Sequence, residues 1–213
     1  MEKRSVGSID NHDNASMKLR ISCSVSSLEG IEKYDLWLTA LKIPCNNVTS
    51  LVPLASCKNI KKLDMRRNEK LKSLRGIENL TLLEDLNISS CDIDSFVPLR
   101  NMKRLGRIIA RNCPVCSFIG LQHCEELWLI ECSHCEYLRS LKGLPYCEVE
   151  LSAYVTPLYY IYFSDFSGHD NLSRYGDIGG TAKFGALLEK QLNSSSYISW
   201  LNHFSINKLY DYF

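Results

Sequence analysis

Cys113-x-x-Cys116, followed after fifteen residues by Cys132-x-x-Cys135, is the arrangement in this chain that looks most like a site for chemistry. Two such pairs can present four thiolates to a tetrahedral zinc ion. Other stretches bear on reactivity more weakly. Gly176-Asp177-Ile178-Gly179-Gly180-Thr181-Ala182-Lys183 has the glycines of a phosphate-cradling turn. It lacks the four-residue gap and the Gly-Lys-Ser/Thr ending that bring an ammonium and a hydroxyl to the phosphates, so a glycine-rich turn is the simpler reading. His12, His123, His134, His169 and His203 share no ligand or triad spacing. Asn47-Val48-Thr49, Asn79-Leu80-Thr81 and Asn87-Ile88-Ser89 match the glycosylation pattern, which matters only in a secreted chain. No catalytic constellation emerges, and the chain is read as a non-enzyme.

The cysteines lose their independence once their neighbours are counted. Leu83-Glu84-Asp85-Leu86-Asn87-Ile88-Ser89-Ser90-Cys91-Asp92-Ile93 reads L-x-x-L-x-L-x-x-C-x-I. The same template runs through Leu38, Leu41, Ile43, Asn46 and Val48, and again through Ile60, Leu63, Met65 and Asn68. It returns at Leu105, Ile108, Ala110, Cys113 and Val115, then at Leu127, Ile130, Cys132, Cys135 and Tyr137. Successive starts lie 22, 23, 22 and 22 residues apart, with one extra residue after Asn68 that moves the next apolar position to Leu71. Cys113 and Cys135 therefore stand where Asn46, Asn68 and Cys91 stand, and Cys132 stands where Ile88 and Ala110 do. Cys57, Cys124 and Cys147 share another apolar column. A buried cysteine is a small hydrophobe with a weak S–H donor, which a backbone carbonyl can accept. Only Cys116 lacks a reason set by the repeat. No metal and no cofactor are expected.

A second motif keeps the same period. Leu28-Glu29-Gly30-Ile31, Leu51-Val52-Pro53-Leu54, Leu74-Arg75-Gly76-Ile77, Phe96-Val97-Pro98-Leu99, Phe118-Ile119-Gly120-Leu121 and Leu141-Lys142-Gly143-Leu144 all fall in the intervening segments. L-x-L puts two side chains on one face of a short strand, because successive residues alternate faces. Gly or Pro then turns the chain into a return segment. A single coil cannot bury its own apolar edge, so the coils must stack and their strands must form one parallel sheet. Strands are expected near 19–21, 41–43, 63–65, 86–88, 108–110, 130–132 and, less regularly, 149–151.

Composition agrees with a folded chain. The 213 residues are 45% hydrophobic with a net charge of +1, which argues against a general nucleic-acid binder. No apolar run reaches the roughly 18 residues of a membrane span, and the first residues lack the apolar stretch of a secretory signal. A reducing cytoplasmic location is expected. Residues 1–16 read as a polar tail, 17–154 as six to seven coils, and 155–213 as an aromatic-rich segment without period. That last segment is read as a cap on the final coil or as a docking arm, with helices over Thr181–Leu192 and about Ser195–Leu209.

The register also exposes the outward face of the sheet. Lys62, Asp64, Arg66, Asp85, Arg107, Ile109, Arg111, Trp128, Leu129 and Glu131 fall on it and form the candidate protein-binding surface. Trp128, Leu129 and Ile109 are the residues least required by the coil itself, and exposed aromatic and arginine side chains are common interface anchors. Burial of this patch beneath the C-terminal segment is the competing expectation.

These motifs resemble those of the leucine-rich-repeat superfamily, and are most similar to its subclass of 22-residue repeats, found in phosphatase-regulatory subunits, axonemal dynein light chains and bacterial internalins. The resemblance covers about residues 17–154. It implies an α/β solenoid, an arc with a curved parallel sheet on its concave face, that binds another protein without catalysis. The functional expectation is a protein-interaction scaffold. A structural component of a large assembly (axoneme, organelle ribosome or virus particle), held by its convex and C-terminal surfaces, is the alternative.

Overall fold

The computed structural model describes residues 9–11, 16–21, 25–140, 142–145, 149–153, 156 and 181–184. Its strands run in chain order across one sheet: β1 (Ile9–Asn11), β2 (Met17–Arg20), β3 (Leu38–Lys42), β4 (Lys62–Asp64), β5 (Asp85–Asn87), β6 (Arg107–Ile109), β7 (Leu129–Glu131), β8 (Val149–Ser152) and β9 (Thr181–Phe184). Strands β2 to β8 pair in parallel, at the places the 22-residue period assigns. Their register aligns Leu19, Leu41, Leu63, Leu86, Ile108, Ile130 and Leu151 in one inward row, each at most 3% exposed. Each such side chain contributes roughly 1.5–3 kcal/mol of gross burial energy.

Among the described residues the return segments hold no α-helix. They are irregular, with short 3-10 turns at Ile31–Tyr34, Val52–Ser56 and Val97–Leu99. Pro53 and Pro98 sit near the start of two of them, where a missing N–H costs nothing. The glycine coils approach their neighbours more closely. Gly120 has φ +111, and a Cβ there would lie 2.2 Å from the carbonyl oxygen of Phe96. Leu54, Ile77, Leu99 and Leu121 close the core behind the sheet.

Three expectations need correction. Thr181–Phe184 is not the start of a helix but strand β9, antiparallel to β8. Pairing with an open sheet edge overrides the apolar spacing that suggests a helix; the remainder of that stretch, the segment 195–209 and Cys147 lie outside the described residues. Ile9–Asn11, within the stretch read as a polar tail, forms β1 and pairs antiparallel with β2. Tyr137 does not fill the core position of the last full coil: it is 56% exposed, and Leu138 is buried in its place. The cause is a second one-residue insertion, at the same station as that after Asn68. In both coils a tight turn results, with Leu71 N–H bonded to Asn68 O at 2.9 Å and Leu138 N–H to Cys135 O at 3.1 Å.

Candidate protein interface on the concave sheet face

What holds each coil to the next decides which side chains are left free. Asn68 is fully buried. Its amide donates to the carbonyls of Ile43 (2.7 Å) and Met65 (2.6 Å), while its oxygen accepts the Val48 N–H at 3.1 Å. Asn46 repeats two parts of this, accepting from Val25 N–H and donating to Pro44 O. In the later coils thiols take over: Cys91 donates to Met65 O at 3.2 Å, Cys113 to Ile88 O at 3.1 Å and Cys135 to Ala110 O at 3.0 Å. The coils, their parallel register and this column of buried polar side chains decide the family of folds. The architecture is a leucine-rich-repeat solenoid.

The solenoid accounts for the cysteines as the repeat expects. Burial pushes the Cys91 thiol up to about 11 and raises that of Cys113. The Cys132 thiol is raised by its hydrogen bond with Cys135 and by burial. These are protonated packing groups. Cys116 is exposed, and no group of three or more His, Cys, Asp or Glu among the described residues could hold a metal ion.

No family model matches the chain, and no curated protein matches it by sequence. Parts of three solved structures from Listeria monocytogenes are similar to it. An internalin, InlF, shares 17% identity at a TM-score of 0.49, covering 67% of this chain and 48% of its own. An internalin C2 shares 16% identity at 0.42, covering 65% and 80%. The functional domain of InlJ, which includes a cysteine ladder, shares 13% identity at 0.41, covering 65% and 38%. The chain thus aligns with about half the length of the first of these.

The outward face of the leucine-rich-repeat sheet is laid out in two rows. One contains Lys18, Ala40, Lys62, Asp85, Arg107, Leu129 and the position of Glu150; the other contains Arg20, Lys42, Asp64, Asn87, Ile109, Glu131 and Ser152. All ten candidate residues lie on this face or its rim, and most of its charges pair across strands. Arg107 grips Asp85 with two bonds, at 3.1 and 2.6 Å, and Arg111 holds Glu131 through both carboxylate oxygens. Each carboxylate's hydrogen bonds raise its arginine's pKa. Asp64 serves both Lys42 (3.5 Å) and Arg66 (3.0 Å), and its oxygen also accepts the Arg66 N–H at 3.3 Å. Lys61 and Glu84 pair at 3.5 Å on the rim. Lys62 is exposed and forms no ion pair among the described residues.

The apolar members stand together between the arginine pairs. Ile109 and Leu129 are partly exposed on adjacent strands, and Trp128 is 55% exposed. The indole lies against Gly106: a Cβ built on that glycine would be 3.1 Å from Trp128 Nε1. Gly106 therefore seats the ring, a role the linear pattern did not reveal. The pattern also passed over Lys18 and Arg20, though extending the outward alternation back from Leu19-Arg20-Ile21 would have reached them. A third feature is the station after Arg66, Ser89 and their equivalents. Cys45, Arg67, Ser90, Asn112 and His134 there have φ between +54° and +61°. This left-handed backbone aims N–H groups at the next coil, as in Arg67 N–H to Ser89 O at 2.7 Å, and offsets a cost of about 1 kcal/mol per residue.

Proposed function

We propose that this chain is a non-enzymatic protein–protein interaction scaffold that binds a protein partner through the concave sheet face. The observation carrying the proposal is Trp128. More than half of it is exposed just before β7, near Ile109 and Leu129, where the inward neighbours Leu127 and Ile130 already fill the core. A preformed sheet binds with little ordering cost, and the paired arginines at its sides supply polar rim contacts. Lys62, Asp64, Arg66, Asp85, Arg107, Arg111 and Glu131 are the polar members of the proposed surface. The buried, protonated thiols suit a reducing cytoplasm, which we take as the location. Among the described residues no helix is long and apolar enough to cross a membrane.

One observation favours the second reading, a structural component of a large assembly. Val52, Val97 and Ile119 occupy the same station of three return segments and are 54%, 43% and 37% exposed. They offer an apolar row away from the sheet.

Affinity purification with mass spectrometry, comparing the wild type with a Trp128→Glu, Leu129→Glu variant, separates the two. Loss of a specific partner with an unchanged thermal midpoint supports concave binding. Retention of every partner points to the return side, and collapse of the fold makes the patch part of the core.

A further inference from the structure

We infer that the occupant of the concave face is a protein segment with two unlike ends: an acidic cluster seated over β2–β4 and an apolar anchor seated over β6–β7. The inference rests on the scaffold reading above and adds the chemistry of the partner. Lys18, Arg20, Lys42, Lys62 and Arg66 project from β2, β3, β4 and the turn that follows, and Asp64 is the only carboxylate on those three strands. Asp10 of β1 takes the register position beside Lys18 at the sheet edge. Five cations crowd this end in a chain whose whole net charge is +1. Asp64 engages Lys42 and Arg66, while Lys18, Arg20 and Lys62 are exposed and form no ion pair among the described residues.

Ala40 lies between Lys18 and Lys62 in their row. Its methyl leaves room above β3, with a lysine on either side. Strands two apart are about 10 Å apart, so a carboxylate seated there can meet both ammonium groups. The coil gains nothing from this crowding, because its packing is done by the inward row. Like charges side by side across strands are unfavourable until an opposite charge arrives.

The free positive field ends at β5. Beyond it Arg107 and Arg111 are taken by Asp85 and Glu131, and the apolar groups are the exposed Trp128 and the half-buried Ile109 and Leu129. A nucleic-acid backbone, with charges at every step, would run its phosphates onto Glu84, Asp85 and Glu131. A protein segment can be acidic at one end and apolar at the other. The two seats are about 17 Å apart at roughly 4.8 Å per strand.

Fluorescence anisotropy on the full chain tests this with three labelled probes. One is a peptide with a run of glutamates, a spacer of about five extended residues and Leu-Trp; the second replaces each glutamate by glutamine; the third is a single-stranded RNA oligonucleotide. Hydrogen exchange then maps the protected strands. The glutamate peptide should bind about tenfold more tightly than the glutamine peptide at low salt and protect β2–β7. Lys18→Glu with Lys62→Glu should erase that preference while leaving protection at β6–β7. Equal binding of the two peptides with protection on the sheet overturns the two-ended partner and leaves the scaffold standing. Tighter binding of the RNA also overturns it, and protection confined to the return segments overturns the scaffold reading itself.

Discussion

Asn68 and Cys113 occupy the same station in their coils but hold the array in different ways. The amide of Asn68 serves three backbone groups on three different residues. The thiol of Cys113 has one short bond, to Ile88 O, and a second, longer approach to Arg111 O at 3.7 Å. The early coils are thus joined by directed hydrogen bonds. The later ones rely more on apolar contact, with sulfur filling the space. The outer face divides along the same line: an excess of cations over β2–β4, three of them without an ion pair among the described residues, and ion pairs around an apolar centre over β5–β7. Neighbouring coils of one repeat can carry different surfaces because the inward row alone sets the fold.

The largest effect should come from breaking the early ladder. Asn68→Ala strands three buried backbone groups and should cost about 3 kcal/mol or more in chemical denaturation. Cys113→Ala, which forfeits a weak donor and a small volume, should cost about 1–2 kcal/mol. Equal losses would erase the contrast. Alkali should act next, and most on the later coils, because burial raises the Cys91 and Cys113 thiols further than that of Cys57. Burial raises the Cys91 thiol from its ordinary 9.0 to about 11, so the folded chain keeps a proton that the unfolded chain releases. Its stabilising contribution is complete below pH 9 and fades as pH climbs through 11, on the order of 2 kcal/mol in all. Denaturation midpoints followed across that range should fall more steeply for the wild type than for Cys91→Asn. Arg107→Ala should have the smallest effect. Its side chain is 39% exposed, and solvent screening holds even a two-bond pair with Asp85 to about 0.5–1 kcal/mol, diminishing in high salt.

Much of this was legible before any coordinates. Leu41, Leu63, Leu86, Ile108 and Ile130 keep time at one period, and a sheet register is set by such a row. The cysteine columns were legible for the same reason, since a shared station implies a shared environment. What escaped was whatever the period does not govern. β1 contains a single apolar residue and owes its strand to β2's open edge, and β9 likewise depends on β8. Tyr137 misled because its insertion is silent until Leu138 is seen inside. The left-handed station holds Cys, Arg, Ser, Asn and His, residue types that announce no common backbone. The ion pairs depend on the reach of side chains between coils, and the seat that Gly106 provides depends on an indole one coil away.

The two outermost strands run against the rest. A parallel rung leaves the next rung the same invitation it received, so nothing within the repeat says where to stop. β1 and β9 refuse that invitation by reversing direction at either end. The extent of the sheet is therefore written at its margins: a molecule stripped of Ile9–Asn11 would bare the edge of β2 while β9 still closed the other side, so a second copy could join there and the pair would go no further.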